Sequence, residues 1–437
     1  MVMGITRLKA TFLNLAKLIY RRIFLEEMSA EVETFLKSLF VVAIGIAIAT
    51  LFSTAFTIMG GRILGPEEYG KFTLVQTIAS FLCIPMYLGF TTALIKYSSE
   101  RSDADRQSKI ISTAFALVFL CTLISVAAFI IFGSQLARLF SSSSNLFFIS
   151  LIIAVMIVFF TITTSILRSL DKTHAYAFFQ VLYAAIMLIA FLVFILNRSS
   201  SFKSMAYPMI IAYGISSTAI LIFSIHKTIK WNFDRYWAKI LTKYSAFSLI
   251  GGLAFVFYSN FDNLMVNKFL NVTDLGIYNA YSSASINVMG IFTGVFFIVF
   301  FPTVSKYESK GIIFKRINKF MPYLIFLGIP LILVCEFIVL KLYGNKYPLN
   351  TVWLIIFPIA SVCVAIDGLY GWLLNSVGLQ GVRISSFAAI ILVLVNVGLN
   401  IILIPRIGIT GAVVSIIVSY NSSVMTTILL GKKYFST

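Results

Sequence analysis

Three carboxylates interrupt long apolar stretches of this sequence: Asp262, Glu336 and Asp367. If these stretches cross a membrane, an ionised side chain costs roughly 3 kcal/mol at the centre of a helix. Carboxylates at that depth usually handle a proton, another cation or a substrate. The sequence therefore predicts that these three residues bind a coupling cation, H+ or Na+.

Each carboxylate also has a structural interpretation. Asp262 lies in a polar run and could pair with Lys268 or form a hydrogen bond. Asp367 could join two helices through a hydrogen bond. Glu336 lies near Lys341 and could extend towards a membrane surface, as long charged side chains do.

Four basic residues lie at the ends of apolar stretches and could bind an anion. Arg62 and Lys268 follow the first and seventh stretches, and Lys96 and Arg168 follow the second and fourth. Arginine binds phosphate through two parallel hydrogen bonds, and lysine binds it as a point charge. Ordinary anchoring at a membrane surface explains the same four positions equally well.

Polar side chains also recur at helical spacing within the apolar stretches. Asn279, Ser283 and Asn287 follow one another every four residues, and Gln76 belongs to a similar stripe. Such stripes predict a hydrophilic cavity for sugar hydroxyls, although small polar residues also serve close helix packing. Asn396 and Asn400 present the same two alternatives.

Motifs for enzymatic chemistry are missing from the sequence. There is no Gly-x-x-x-x-Gly-Lys-[Ser/Thr], Gly-x-Ser-x-Gly or His-Glu-x-x-His pattern. The four cysteines occur singly in apolar segments, and the two histidines stand apart. We therefore expect no metal site, no cofactor and no enzymatic activity.

The composition assigns these residues to a membrane protein. Of 437 residues, 59% are hydrophobic and 11% are charged, with a mean hydropathy of +0.97. A soluble domain carries about 25% charged residues. With so few charged residues, the chain cannot be a soluble enzyme, a nucleic-acid-binding protein or a disordered chain. The net charge of +18 then indicates basic loops beside anionic lipids.

Twelve apolar stretches are long enough to cross a bilayer as helices. The predicted fold is all-α, with about twelve transmembrane helices. The predicted spans are 38–61, 72–95, 110–133, 146–167, 175–196, 205–225, 244–266, 277–301, 320–342, 351–374, 384–404 and 411–430.

The distribution of basic residues predicts the orientation of these spans. With the N-terminus inside, 25 of the 34 Lys and Arg residues lie on the inner side. Basic residues accumulate in cytoplasmic loops. We therefore expect a multi-pass protein of the cell membrane with both termini in the cytoplasm.

Three further segments complete the predicted organisation. Residues 1–37 carry apolar residues at steps of three and four between basic ones, which indicates an amphipathic cytoplasmic helix on the membrane. The basic connection 226–243 separates an N-terminal lobe, 38–225, from a C-terminal lobe, 244–430. Residues 431–437 form a short cytoplasmic tail.

The two predicted lobes contain an internal repeat. A shift of 206 residues aligns Arg62 with Lys268, Glu68 with Asp274, and Gly70 with Gly276. Each lobe has six spans, so both begin on the same side of the membrane. The repeats are therefore predicted to be parallel, related by an axis along the membrane normal. A transporter built this way works by one lobe rocking against the other.

An ordered set of motifs resembles one known family. The set comprises GRILGPEEYG at 61–70, Asp262 followed by LGIY at 275–278, LYGNKY at 342–347, and NIILIP at 400–405 followed by GITGA at 408–412. In this order, the motifs are similar to those of the polysaccharide transporter family, whose members include O-antigen-type flippases. That family belongs to the multidrug/oligosaccharidyl-lipid/polysaccharide (MOP) superfamily, so the resemblance implies two six-helix lobes arranged as in MATE transporters.

The resemblance also implies a function. The expected cargo is an oligosaccharide or polysaccharide repeat unit on a polyprenyl pyrophosphate, moved from the inner to the outer leaflet by alternating access. The expected partners are this lipid-linked oligosaccharide, membrane lipids and other polysaccharide-assembly proteins. Two alternatives stay open at this point: a cation-coupled multidrug exporter of the same superfamily, and a membrane glycosyltransferase or polymerase.

Overall fold

A computed structural model describes residues 30–100, 103–196, 200–226, 228–229, 232–294 and 310–435. All regular structure within these ranges is helical. The helices are α1 Ala30–Leu64, α2 Pro66–Tyr87, α3 Phe90–Ser99, α4 Ala104–Ile131, α5 Gly133–Leu139, α6 Ser144–Ser169, α7 Thr173–Leu196, α8 Lys203–Ile220, α9 Arg235–Phe269, α10 Val272–Ser282, α11 Lys310–Tyr343, α12 Thr351–Asn375, α13 Leu379–Ile407 and α14 Ile409–Phe435. Two π-helical turns, Leu221–Ile225 and Ser283–Asn287, extend α8 and α10.

The helices reproduce the predicted membrane spans. Within the described ranges, nine helices are long and apolar enough to cross a membrane, and two bent pairs raise the number to eleven. These eleven correspond to all predicted spans except the eighth, 277–301. Its first part, to residue 294, is helical, and its last residues lie outside the described ranges. The chain is a multi-pass membrane protein.

Polar side chains determine where several helices begin. Asp234 accepts hydrogen bonds from the backbone N–H groups of the first turn of α9. Asn271 and Asn350 do the same for α10 and α12, and Ser143 does so for α6. A buried or membrane-facing helix end needs such partners because its first four N–H groups have none within the helix.

The helices form two lobes. In the N-lobe, comprising α1–α8, α1 packs on α7, α7 on α8, and α6 on α2, α3 and α8. In the C-lobe, comprising α9–α14, α14 packs on α12 and α13, α11 on α12, and α9 on α13. The lobes meet mainly where α2 contacts α10 and α9, where α3 contacts α9, and where α1 contacts α11.

Equivalent glycines of the two repeats meet at this boundary. A Cβ atom on Gly70 would lie 1.8 Å from the carbonyl oxygen of Val272, and one on Gly276 would lie 1.9 Å from that of Pro66. The contact is reciprocal because the 206-residue shift relates Gly70 to Gly276 and Pro66 to Val272. This is the arrangement that a two-fold relation between the lobes requires.

Two spans are bent rather than straight, which the sequence analysis did not anticipate. The second span breaks by 55° between α2 and α3, where Leu88 and Gly89 have positive φ angles of 43° and 79°. Pro85 lies one turn before the break and removes a backbone hydrogen bond. The seventh span bends by 46° between residues 246 and 251.

Several predicted segment boundaries fall inside helices. Residues 30–37 continue into the first span as part of α1, and the apolar pattern of 1–29 lies outside the described residues. The connection 226–243 is helical from Arg235 onwards and continues into the seventh span. Residues 431–435 extend α14. The lobe and segment boundaries therefore remain predictions.

Candidate functional site: a cavity between the lobes

A cavity of about 390 Å³ lies between the two lobes. Helices α1 and α7 of the N-lobe form one wall, and the π-helical turn after α10 together with α11 forms the other. The lining residues are Ile46, Ala49, Thr50, Ser53, Thr54, Thr57, Ile58, Gln180, Tyr183, Ser283, Asn287, Val288, Ile291, Val339 and Tyr343. Such a volume is typical of a small-molecule site.

The polar lining of this cavity is neutral. Its polar groups are hydroxyls and carboxamides from both lobes, and the described lining includes no charged side chain. Hydroxyls and amides donate and accept hydrogen bonds without the cost of burying a charge. The cavity is therefore suited to a polyhydroxylated, uncharged group.

An aromatic cluster supports one wall of the cavity. The ring of Tyr183 stacks on that of Tyr213, with 4.4 Å between ring centroids and 19° between planes. Phe160 packs against both rings at 5.2 and 5.3 Å. Gln180 lies one turn before Tyr183 on α7, so the helix presents an amide beside a rigid aromatic group.

A π-helical turn places the polar groups of the opposite wall. Ser283–Asn287 is wound more widely than the α-helix before it. A π turn inserts one extra residue per turn and changes which side chains share a face. Ser283 and Asn287, the first and last residues of this turn, both line the cavity.

Aromatic residues of the two lobes close one end of the cavity, which we call the closed end. The Tyr343 ring packs on Gly61, where any Cβ atom would lie 2.4 Å from the ring. The Tyr343 and Tyr69 hydroxyls are 3.3 Å apart, and the Tyr347 hydroxyl donates to the Gly61 carbonyl at 3.0 Å. These contacts join α1 and α2 to the end of α11.

Two basic side chains cross between the lobes at the closed end. Arg62 Nη1 donates to the carbonyl of Leu342 at 3.4 Å, and Lys346 Nζ donates to the carbonyl of Ile63 at 3.2 Å. Arg62 thus lies opposite Lys346 rather than opposite Lys268, its equivalent in the repeat. Lys268 is exposed, with its amine 5.8 Å from the Phe269 ring.

Asp262 lies in a buried polar cluster inside the C-lobe. Its carboxylate accepts hydrogen bonds from the Tyr278 hydroxyl at 3.3 Å and from Asn400 Nδ2. Asn400 Nδ2 also donates to Asn396 Oδ1 at 3.1 Å. Among the described residues, Asn400 Oδ1 has no hydrogen-bond partner, so the cluster has one buried acceptor to spare.

Asp367 approaches the same cluster from α12. Its carboxylate lies near Ser423 and within electrostatic range of Tyr258 and Tyr420. Tyr420 also interacts with Asp262, so this one tyrosine lies within range of both carboxylates. The structure brings two of the three predicted carboxylates into one region of the C-lobe.

Glu336 is separate from that cluster. Its side chain on α11 is fully buried, and neither carboxylate oxygen has a hydrogen-bond partner among the described residues. It interacts electrostatically with Tyr281, whose hydroxyl donates to the Pro348 carbonyl. Its burial contradicts the alternative in which it extends to a membrane surface.

A chain of amides joins the lobes beside the cavity. Asn279 Nδ2 donates to Asn263 Oδ1 at 2.9 Å, and Asn263 Nδ2 donates to the Thr77 hydroxyl at 3.1 Å. Asn279, predicted to bind substrate, therefore has partners within the protein and does not line the described cavity.

Three further predicted binding residues also lie away from the cavity lining. Gln76 Nε2 lies 3.6 Å from Met209 Sδ inside the N-lobe. The Lys96 amine lies 4.6 Å from the centre of the Tyr244 ring, and the Arg168 guanidinium lies 5.8 Å from that of Tyr176. Of the predicted substrate-binding residues, Ser283 and Asn287 line the cavity.

The sequence analysis missed most of the N-lobe wall. Thr50, Ser53, Thr54 and Thr57 follow the helical spacing of one face of the first span, so their pattern was a usable signal. Gln180 and Tyr183 carry no comparable pattern. Their place in the cavity wall, in the same lining as Ser283 and Asn287, is seen only in the three-dimensional structure.

Comparisons with known proteins agree with this architecture. A family model described as "Polysaccharide biosynthesis protein" matches residues 59–350. The chain is 22% identical over 397 residues to a protein of Haloferax volcanii named "Probable low-salt glycan biosynthesis flippase Agl15", covering 86% of this chain and 80% of that one.

Solved structures share the fold. An inward-facing MATE multidrug resistance transporter of the MOP superfamily matches with a TM-score of 0.68 and 15% identity, covering 89% of this chain and 94% of that one. A MOP superfamily transporter from Pyrococcus furiosus, described as having a binding pocket of reversed polarity, matches with a TM-score of 0.58 and 13% identity, covering 92% of this chain and 96% of that one.

The chain shares the fold of solved MATE transporters and of other transporters of the MOP superfamily. The match to the family model covers well over half of the chain. The chain belongs to the polysaccharide biosynthesis protein family.

Proposed function

We propose that this protein moves a lipid-linked oligosaccharide, carried on a polyprenyl pyrophosphate, from the inner to the outer leaflet of the cell membrane. One observation carries the proposal: the polar groups that line the cavity between the lobes, beside aliphatic side chains, are all neutral hydroxyls and amides. These groups match sugar hydroxyls, and the lipid tail stays in the bilayer during transfer.

The proposed mechanism is alternating access. With both termini in the cytoplasm, the closed end faces outwards, and the sugar enters the cavity from the inner side. The lobes then part at the closed end and meet at the other. An inside-negative membrane potential favours outward movement of an anionic head group by about 2.3 kcal/mol per charge per 100 mV.

The C-lobe carboxylates are the proposed sites of ion coupling. Asp262 and Asp367 lie near one tyrosine, and Glu336 is buried without a partner among the described residues. If Asp262 takes up a proton, its new O–H can donate to Asn400 Oδ1, the spare acceptor beside it. Proton uptake then rearranges the hydrogen bonds between α9 and α13. Other polysaccharide-assembly proteins are the proposed partners on either side of this step.

A multidrug exporter is the competing function, because the structural neighbours include MATE transporters. Cationic drugs bind best to sites that contain carboxylates or exposed aromatic faces. The described cavity lining contains no carboxylate, and its two aromatic residues each have one ring face covered, Tyr183 by Tyr213 and Tyr343 by Gly61. The flippase and the drug exporter therefore differ in the cargo that the cavity should bind: an uncharged sugar in the first and a lipophilic cation in the second.

Protection of a cysteine in the cavity tests the cargo. Thr54→Cys is introduced after the four native cysteines are replaced, and the rate of maleimide labelling is measured in nanodiscs. We expect a lipid-linked oligosaccharide to slow labelling and a lipophilic phosphonium cation to leave it unchanged. Protection by the cation alone would favour the drug exporter. A cysteine at exposed Leu139 is the matched control.

A further inference from the structure

The cations at the closed end cap the helices of the opposite lobe. Helix α1 ends at Leu64 and α11 ends at Tyr343. Arg62, from the last turn of α1, donates to the last turn of α11, and Lys346, just after α11, donates to the last turn of α1. The final carbonyls of a helix carry partial negative charge and lack partners within the helix.

These contacts hold the two cations only weakly. At 3.4 and 3.2 Å they are long hydrogen bonds to neutral carbonyls, and both side chains are exposed. The nearby carboxylates are engaged elsewhere, because Lys71 forms ion pairs with Glu67 and Glu68 at 2.8 and 2.6 Å. Arg62 and Lys346 therefore retain most of their capacity to bind an anion.

The capping contacts exist only while the lobes touch at this end. Each cation and its carbonyl belong to different lobes, so separation breaks both hydrogen bonds together. It leaves two basic side chains free on facing walls of the opening. An anion that binds both side chains binds the parted state better than the closed one and shifts the population towards it.

We propose that Arg62 and Lys346 form a phosphate-binding pair that is engaged with carbonyls in the closed state and becomes available when the closed end opens. Arginine supplies bidentate hydrogen bonds to phosphate, and lysine supplies a compact charge. The source of the phosphate, a lipid-linked pyrophosphate leaving the cavity, rests on the proposed function. The pair thus receives the head group on the exit side and stabilises the open state.

Distances between spin labels test the pair without any transported lipid. Exposed Leu139 in the N-lobe and exposed Leu349 in the C-lobe accept the labels. Leu139 lies near the closed end, because Ser141 beside it accepts a hydrogen bond from Asn267 near the end of α9. Electron double resonance is measured in nanodiscs with inorganic pyrophosphate and with chloride at equal ionic strength.

We expect pyrophosphate to lengthen the label distance in the native protein. In Arg62→Gln/Lys346→Gln, the response should need about tenfold to a hundredfold more pyrophosphate, since charged hydrogen bonds are lost. Arg62→Lys, which keeps the positive charge, should retain part of the native response to pyrophosphate. The matched control, Arg138→Gln/Lys268→Gln, removes two cations near the same end and should respond like the native protein.

Two results would contradict the proposed phosphate-binding pair. One is a label distance that does not change with pyrophosphate in the native protein. The other is the same pyrophosphate response in the native protein and in Arg62→Gln/Lys346→Gln. The proposed function fails in a different way. The protein could respond to pyrophosphate while the lipid-linked oligosaccharide gives no protection of Thr54→Cys. That result would support the phosphate-binding pair and contradict the proposed cargo.

Discussion

At the scale of single residues, the molecule separates two kinds of polar chemistry. The interlobe cavity carries neutral hydroxyls and amides, whereas the acidic groups Asp262 and Asp367 lie inside the C-lobe. A carboxylate buried away from the cargo can change its protonation without contacting a sugar. This separation suits a transporter in which ion binding alters the packing of one lobe.

Replacement of Asp262 by Asn should uncouple transport. The amide preserves the shape of the side chain and removes the group that takes up a proton, so the amount of protein in the membrane should not change. We expect transport in proteoliposomes to lose its dependence on an imposed pH or sodium gradient. Asp274→Asn removes a half-buried carboxylate in the first turn of α10, where it accepts a hydrogen bond from Asn271, and is the control. Full gradient dependence in Asp262→Asn would contradict its role.

The N-lobe wall should determine affinity for the sugar. Gln180→Ala and Tyr183→Phe each remove a polar group from the cavity, and a neutral hydrogen bond contributes about 1 kcal/mol. We expect each variant to raise the half-saturating oligosaccharide-lipid concentration roughly fivefold. Tyr207→Phe, on the outer surface of α8, should leave it unchanged. Unchanged affinity in both cavity variants would place the sugar elsewhere.

Residue types at helical spacing predicted part of this site. Asp262, Asp367, Ser283 and Asn287 stood out because polar groups are rare in apolar stretches. The contribution of Lys346 depends on how the end of α11 meets α1, and no spacing within one segment encodes that contact. The pairing of Lys268 with Arg62 rests on the repeat and stays a prediction, whereas the structure shows Arg62 and Lys346 each bonded to a carbonyl of the other lobe.

At the scale of elements, the contact of α2 with α10 controls how closely the lobes approach. Gly70 and Gly276 permit backbone-to-backbone contact because neither has a Cβ atom. Apolar length predicted twelve spans, and eleven of them correspond to membrane-length helices within the described ranges. Apolar length is a property of the segment itself and does not depend on how the helices pack. The bends were not predicted, although Pro85 marks one of them, because a proline in a long span can kink it or be accommodated.

Alanine at Gly276 should prevent closure. In an ordinary helix the change stabilises by about 0.5–1 kcal/mol, but here the new methyl group would meet the Pro66 carbonyl at 1.9 Å. We expect longer Leu139–Leu349 label distances in Gly276→Ala and faster labelling of Thr54→Cys. The control is Gly371→Ala, because no atom lies within 4 Å of its added Cβ. Identical behaviour of the two variants would contradict a closing role for the glycine contact.

At the scale of the whole molecule, two similar lobes enclose a cavity with no charged lining residue and contact each other at its closed end. The contacts at the closed end are those between the tyrosines, those between Gly70 and Gly276 and their partner carbonyls, and the two capping cations; both lobes contribute to each. Because each contact spans the boundary, a motion that parted the lobes at this end, as proposed, would break all of them together. Alternating access needs this property, since partial opening would leave the cargo with no exit.

Translocation by the purified protein tests the central claim most directly. A fluorescent polyprenyl-pyrophosphate oligosaccharide is placed in liposomes, and its exposure to an external glycosidase is followed over time. We predict protein-dependent transfer that slows in Gln180→Ala and in Gly276→Ala but not in Gly371→Ala. A lack of transfer, with intact protein that exports a lipophilic cation dye, would contradict the flippase and establish a drug exporter in its place.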